Sequence, residues 1–140
     1  MAVTDFDTKV AVVVRDDLAA WQRINVCAFL MSGVVAGADE QVVGPDYEDA
    51  SGRHYLPLLV QPVLVFEASG SKLRTVYDRA VTRELRFAIY TTEMFTTGKD
   101  EENRAAVAAV PSEDLDLVGL ALRAPHKAAD GVIRGLSRHP

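Results

Sequence analysis

The stretch Lys9-Val-Ala-Val-Val-Val-Arg15 offers no polar position that could turn toward water. A half-solvated strand alternates apolar and polar residues, so a continuous β-branched run belongs to a strand covered on both faces of a parallel or mixed sheet. Asp16 and Asp17 follow it, placed to cap a helix and to favour its positive end. Trp21, Ile24, Cys27, Ala28, Met31, Val34 and Val35 then recur at helical spacing, with Phe29 and Leu30 on the flank. This pattern predicts a largely buried helix, with Gly37 as its C-cap.

The same alternation continues along the chain. Gln61-Pro-Val-Leu-Val-Phe-Glu67 reads as a second buried strand, its proline at the start where a missing donor costs least. Ser69 or Ser71 caps the next helix, whose stripe is Leu73, Val76, Tyr77, Ala80 and Val81. Leu85 to Tyr90 is a third strand, Thr91 to Gly98 a loop, and Asp100 to Ala109 a short helix stopped by Pro111. Asp116 to Leu122 is a fourth strand, and Pro125 opens a last helix containing Ala128, Ala129, Val132, Ile133 and Leu136. Between residues 38 and 57, Gly44-Pro45-Asp46 and Ser51-Gly52 are turn signals, predicting a loop with short extended pieces. Strands alternating with helices give a layered α/β architecture. The 140 residues fit one domain, 1–140, with residues 1–8 as a short N-terminal tail.

Composition bears mainly on partners. Twenty acids against fifteen Lys and Arg give a net charge of −5, whereas a nucleic-acid binder normally shows a basic patch. The densest cations, from Lys72 to Arg86, are interrupted by Asp78 and Glu84 and read as a solvated helix face. No apolar stretch approaches the roughly 20 residues of a spanning helix, and the N-terminus does not read as a signal peptide. A cytoplasmic protein free of membrane is expected, and the single cysteine fits a reducing compartment.

The order of elements and several strings resemble the type 2 peptidyl-tRNA hydrolases. Val13-Val-Arg-Asp-Asp-Leu18 is similar to that family's opening strand and Asp-Leu turn. Val63 to Phe66, the following helix and Phe87 to Tyr90 continue the likeness. Val118-Gly-Leu-Ala-Leu122, Lys127 and Gly135-Leu136 are similar to its last strand and helix. More specifically, Tyr90-Thr-Thr-Glu-Met-Phe95, Glu102-Asn-Arg104 and Gly135-Leu-Ser-Arg-His-Pro140 resemble a bacterial group known as domain of unknown function number two-thousand. The resemblance implies a single three-layer domain with a central four-stranded mixed sheet and helices on both faces. It also implies that self-association as a homodimer is open to this chain.

The hydrolases carry a lysine-rich turn at the start of the first helix, where this chain has Ala19-Ala-Trp-Gln-Arg23. They carry an Asp-Ala-Gly-Arg-Thr-like segment after the third strand, where this chain has Thr91-Thr-Glu-Met-Phe95. Arginine stays charged and does not replace a proton-transferring lysine. The leading expectation is therefore a small-ligand or partner-binding module on a hydrolase-like scaffold that lacks the relatives' catalytic groups. Its crevice lies at the carboxyl end of the first strand, where open α/β sheets bind ligands. Arg15, Arg23, Asn25, Thr91, Thr92 and Glu93 are its candidate lining residues, with Met94 and Phe95 as an apolar wall. The alternative is an ester or amide hydrolase in which Glu93 activates water and Arg23 stabilises developing charge. A third reading is an oligomeric role for the apolar and aromatic residues of the 38–57 segment.

Other groups read as structural. Cys27 lies more than a turn inside its helix, away from anything that would lower its pKa. His54, His126 and His139 lack metal-ligand spacing, so no metal is expected, and His126 and His139 are read as solvated. Neither a dinucleotide fingerprint nor a P-loop is present, and no cofactor is expected.

Overall fold

The valine run forms β1 (Thr8–Arg15), the central strand of the sheet in the computed structural model, which describes residues 6–39 and 41–140. Met1 to Asp5 of the expected tail lie outside the described residues, and Thr8 already belongs to the strand. Val10 through Val14 are all buried, and the two faces diverge as the continuous pattern requires. Val10, Val12 and Val14 join a cluster with α1 (Ala20–Ala36), while Ala11 and Val13 join one with α2 (Gly70–Thr82) and α4 (His126–Ile133). Helices thus cover both faces of the sheet.

β1 runs parallel to β4 (Val63–Ala68) and antiparallel to β6 (Leu117–Pro125). β5 (Ala88–Thr91) pairs with β6 at one edge, and β7 (Ser137–Arg138) with β4 at the other. The mixed sheet therefore has five strands, in the order β5-β6-β1-β4-β7, and not four. The fifth is too short to show a pattern: both residues of β7 are exposed, and only backbone pairing defines it. β2 (Tyr47–Glu48) and β3 (His54–Tyr55) form a separate two-stranded sheet. Gly52 turns it at φ 83°, in the left-handed region that favours glycine. Below this tip, Val43 pairs with Leu59. The 38–57 segment is thus an arm with short extended pieces, as its turn signals indicate.

One extra residue interrupts the β5–β6 ladder. Tyr90 pairs with Gly119 and Thr91 with Leu117, leaving Val118 as a bulge. Gly119 lies under α1, where an added Cβ would sit 2.4 Å from Val26 Cγ1, so the helix approaches closer than any side chain would permit.

α1 departs from its expected packing. The buried seam is Val26, Leu30 and Val34, each worth about 1.5–3 kcal/mol on full burial. Trp21, Ile24 and Phe29 stay 61%, 71% and 57% exposed, so the helix is not largely buried. Apolar residues fall on more than one face of α1, and the sequence alone could not say which stripe meets the sheet. Asp16 and Asp17 do not cap it either. The N-cap is Ala19, whose N–H donates to Gln22 Oε1 at 2.9 Å. Gly37 is the C-cap, and Ser69 caps α2 by accepting from the Lys72 N–H.

The cations between Lys72 and Arg86 stitch helices together. Arg79 donates to the Val132 and Arg134 carbonyls, Arg74 to the Ser112 carbonyl and Arg86 to the Gly37 carbonyl. Among the described residues, no helix is long and apolar enough to cross a membrane.

Candidate functional site

β1 and β4 end side by side, and the loop Asp16 to Ala19 leaves between them, tied down by the Asp16 N–H donating to the Ala68 carbonyl at 2.9 Å. Two polar clusters form around this loop. In the first, Arg15 closes β1 and donates from Nε to Asp17 at 2.7 Å and from Nη1 to Asp116 at 2.8 Å. The Thr92 hydroxyl donates to the other oxygen of Asp116 at 2.7 Å. Thr92 opens a 3-10 turn (Thr92–Phe95) in the segment expected to be a loop. The Thr92 hydroxyl holds the Asp116 carboxyl below its usual range; burial opposes this, and Arg15 adds to it. Burial also works against the Arg15 charge, but the bonds to Asp17 and Asp116 outweigh it and raise the guanidinium's pKa.

The second cluster is built on Arg23. Its Nε donates to the Leu18 carbonyl at 3.0 Å and Nη2 to the Asp16 carbonyl. Nη1 reaches Glu67 Oε2 at 3.4 Å and His139 Nε2 at 2.9 Å. His139 directly follows β7, its N–H donating to the Val65 carbonyl at 2.9 Å. The His139 ring thus bridges the guanidinium at Nε2 and a Pro140 oxygen, 3.0 Å away, at Nδ1. His139 is half-buried, against the expectation of a solvated residue. The Arg23 guanidinium and the Glu67 carboxylate are paired with each other.

This cluster closes one end of a cleft of about 510 Å³. Val14 and Val65 form its floor, and Leu18, Ile24 and Cys27 form its walls. Burial pushes the Cys27 thiol up from its ordinary pKa, which disfavours the nucleophilic thiolate.

The candidate residues are spread over more than this cleft. Arg23 lines it, whereas Arg15 and Thr92 do not and meet each other through Asp116. Asn25 points away, its amide donating to the Tyr90 hydroxyl at 3.3 Å on the other side of α1. Thr91 is buried, and its hydroxyl has no partner among the described residues. Glu93 is exposed on the 3-10 turn and is not among the residues lining the Arg23 cleft. Asp116 and Glu67 escaped notice because each reads as the end of an element, where a polar residue is unremarkable, and His139 reads as solvated beside them. Among the described residues no group of His, Cys, Asp and Glu is placed to hold a metal.

Residues 8–140 match the family described as Protein of unknown function (DUF2000). A solved structure, that of the protein of unknown function Atu0240 from Agrobacterium tumefaciens str. C58, is 42% identical to this chain, with a TM-score of 0.93. The match covers 96% of this chain and 99% of that one. No curated protein matches the chain significantly.

Proposed function

The chain belongs to the DUF2000 family, and on that premise we propose that it is a small-ligand-binding module whose ligand enters the Arg23 cleft. The observation that carries this reading is an apolar trough of about 510 Å³ ending in the polar corner of Arg23 and His139. Binding pockets combine mostly apolar walls with a few fixed polar groups. Four acceptors hold the Arg23 guanidinium, leaving one of its five N–H groups to donate. Glu67 Oε1 remains as an acceptor. The Arg23 and Glu67 charges are already paired with each other, so the ligand this corner fits has an apolar body and an uncharged alcohol or amide head.

We read the scaffold as type 2 peptidyl-tRNA hydrolase-like with its catalytic groups replaced. Supporting this are the strand–helix turn at Val13 to Leu18 and the position of Arg23 and of Thr91 to Phe95 where the hydrolases keep their chemistry. Arg23 does not transfer protons, and Glu93 lies outside the cleft. Peptide release from peptidyl-tRNA is expected to stay at background. Release that falls in Arg23→Ala or Glu93→Ala would replace the binding reading with a hydrolytic one.

The direct test is a screen of small uncharged amphipathic molecules by amide chemical-shift perturbation. Binders are expected to shift Val14, Leu18, Ile24 and Val65, to slow alkylation of Cys27, and to lose affinity in Ala20→Trp, which obstructs the cleft mouth. A saturating screen with no shifts at these residues would sink the proposal.

A second mode, self-association, is favoured by one observation. Leu56 and Leu58 are 84% and 62% exposed, with Tyr47, Tyr55 and Val60 also open. Monomers rarely leave large contiguous apolar patches in water.

A further inference from the structure

Across α1 from the Arg23 cleft lies a second concavity of about 280 Å³, framed by α1, the end of β5, the 3-10 turn and the start of α3 (Asp100–Ala108). Its walls are aromatic. Trp21 meets Phe95 edge-on with ring centroids 5.9 Å apart, Phe29 meets Tyr90 at 5.9 Å, and Tyr90 meets Phe95 at 5.1 Å. Each ring is thus set by a neighbouring ring, although Trp21 and Phe29 keep most of their own surface in water.

Two carboxamides line the same space. Asn25 Nδ2 donates to the Tyr90 hydroxyl, which in turn lies 3.5 Å from the Met94 carbonyl and donates to it. That direction leaves Asn25 Oδ1 as an acceptor with no protein partner among the described residues. Asn103 meets the Thr97 hydroxyl, which also lies 3.2 Å from the Met94 carbonyl, through Oδ1 alone, so its amide nitrogen has no protein partner among the described residues. One acceptor from α1 and one donor from α3 therefore face a space walled by rings.

We propose that this pocket binds a planar, uncharged nitrogen heteroaromatic of nucleobase size, packed against the rings of Trp21, Phe29 and Phe95 and read on its edge by Asn25 and Asn103. Size limits the ligand first. The volume equals about nine waters at roughly 30 Å³ each, and it falls just below the range of drug-sized pockets, so one ring or two fused rings fit. Chemistry limits it next. An aromatic wall takes any flat π-face, whereas carboxamides pair with an edge that offers donor and acceptor together. Charge is close to balanced, since Lys99 and Asp100 both line the rim and Asp100 is paired with Arg104 at 2.7 Å. A cation cage would need that balance tipped toward acid. Burial also raises the Tyr90 pKa, Asn25 pulling it the other way, which keeps the phenol a neutral relay between Asn25 and Met94. The proposal does not rest on the Arg23 cleft, because α1 separates the two.

Trp21 is the only tryptophan of the chain, so the pocket carries its own reporter. Titration with adenine and with uracil, excited at the red edge of the indole band, is expected to quench Trp21 saturably for at least one of them. Asn25→Leu and Asn103→Leu are each expected to weaken that ligand about tenfold, the discrimination of a lost carboxamide–base pairing. Asn103 sits on the peripheral helix α3, so its variant keeps the test valid if Asn25→Leu fails to fold. Three results would overturn the proposal: no saturable quenching by either base, affinity unchanged in a folded Asn variant, or tighter binding of tetramethylammonium. Stronger, steeply salt-dependent binding of a single-stranded oligonucleotide would also overturn it, in favour of a nucleic-acid surface.

Discussion

Arg23 and Asn25, with only Ile24 between them, serve opposite sides of the central strand: the guanidinium reaches Glu67 on β4 at 3.4 Å, and the amide reaches Tyr90 on β5 at 3.3 Å. Two residues of α-helix turn through about 200°, so α1 is a partition with a polar contact on either side. The Val26–Leu30–Val34 seam fixes the angle at which it stands.

Removing Arg23 tests the first side. Arg23→Ala leaves the Glu67 carboxylate without its cation and the Leu18 and Asp16 carbonyls without a donor. We expect a loss of about 1–3 kcal/mol in urea unfolding, of the order for partly buried hydrogen bonds to a charged group. Arg23→Lys should recover little, since a point charge cannot span four acceptors. A loss below about 0.5 kcal/mol, the range of ordinary surface changes, would show that the network does not hold the loop.

Acid should weaken the Arg15–Asp116–Thr92 anchor. The folded pKa of Asp116 lies below its unfolded one, chiefly through the Thr92 hydroxyl. Its ionised form therefore stabilises the fold above the unfolded carboxylate value of about 3.9, and the contribution drains as pH falls through the lower folded value. The urea midpoints of wild type and Asp116→Asn should differ at pH 7 and converge at acid pH, with Thr92→Val behaving alike. A gap that stays constant with pH would contradict this.

Gly119→Ala should strike at the partition itself. The new methyl would meet Val26 Cγ1 at 2.4 Å and Leu30 Cδ1 at 3.1 Å. Overpacking of this kind costs about 1–3 kcal/mol. Adding Val26→Ala makes room for the methyl, so the double variant should be more stable than the sum of the single losses predicts. Strict additivity would show that α1 is not seated on Gly119 as described.

Self-association is tested at Leu56 and Leu58. Sedimentation at tens of micromolar is expected to show wild type above monomer mass and the variant Leu56→Glu with Leu58→Glu at monomer mass. A monomeric wild type retires this mode without touching the ligand readings.

The sequence revealed what burial forces on it and missed what the chain does locally with its backbone. Val10 to Val14 announced a doubly covered strand because no polar residue interrupts them, and Leu73, Val76 and Ala80 announced α2 by their spacing. The site was less legible. Arg23, Asn25 and Thr91 to Glu93 were grouped by proximity to two element ends, but helical rotation sends Arg23 and Asn25 apart, and Thr91 turns into the core. Glu67, Asp116 and His139 come together with the arginines only through tertiary pairing, over separations of 44, 101 and 116 residues, which no local pattern records.

The bulge at Val118 also decides where the length of this chain can drift. On either side of it, Leu117 and Leu120 face the same cluster although they are three residues apart, and Val118 and Ala121 face the other. Deleting a residue elsewhere in β6 while the bulge stays would act as a frameshift in side-chain space, turning Leu117 outward and parting Asp116 from Arg15. The turn between Asp49 and Arg53, held only by its own hydrogen bonds, can gain or lose residues with no such penalty. Among natural homologues, insertions and deletions should collect at that hairpin tip and spare β6, so that β6 keeps its length even where its residues change.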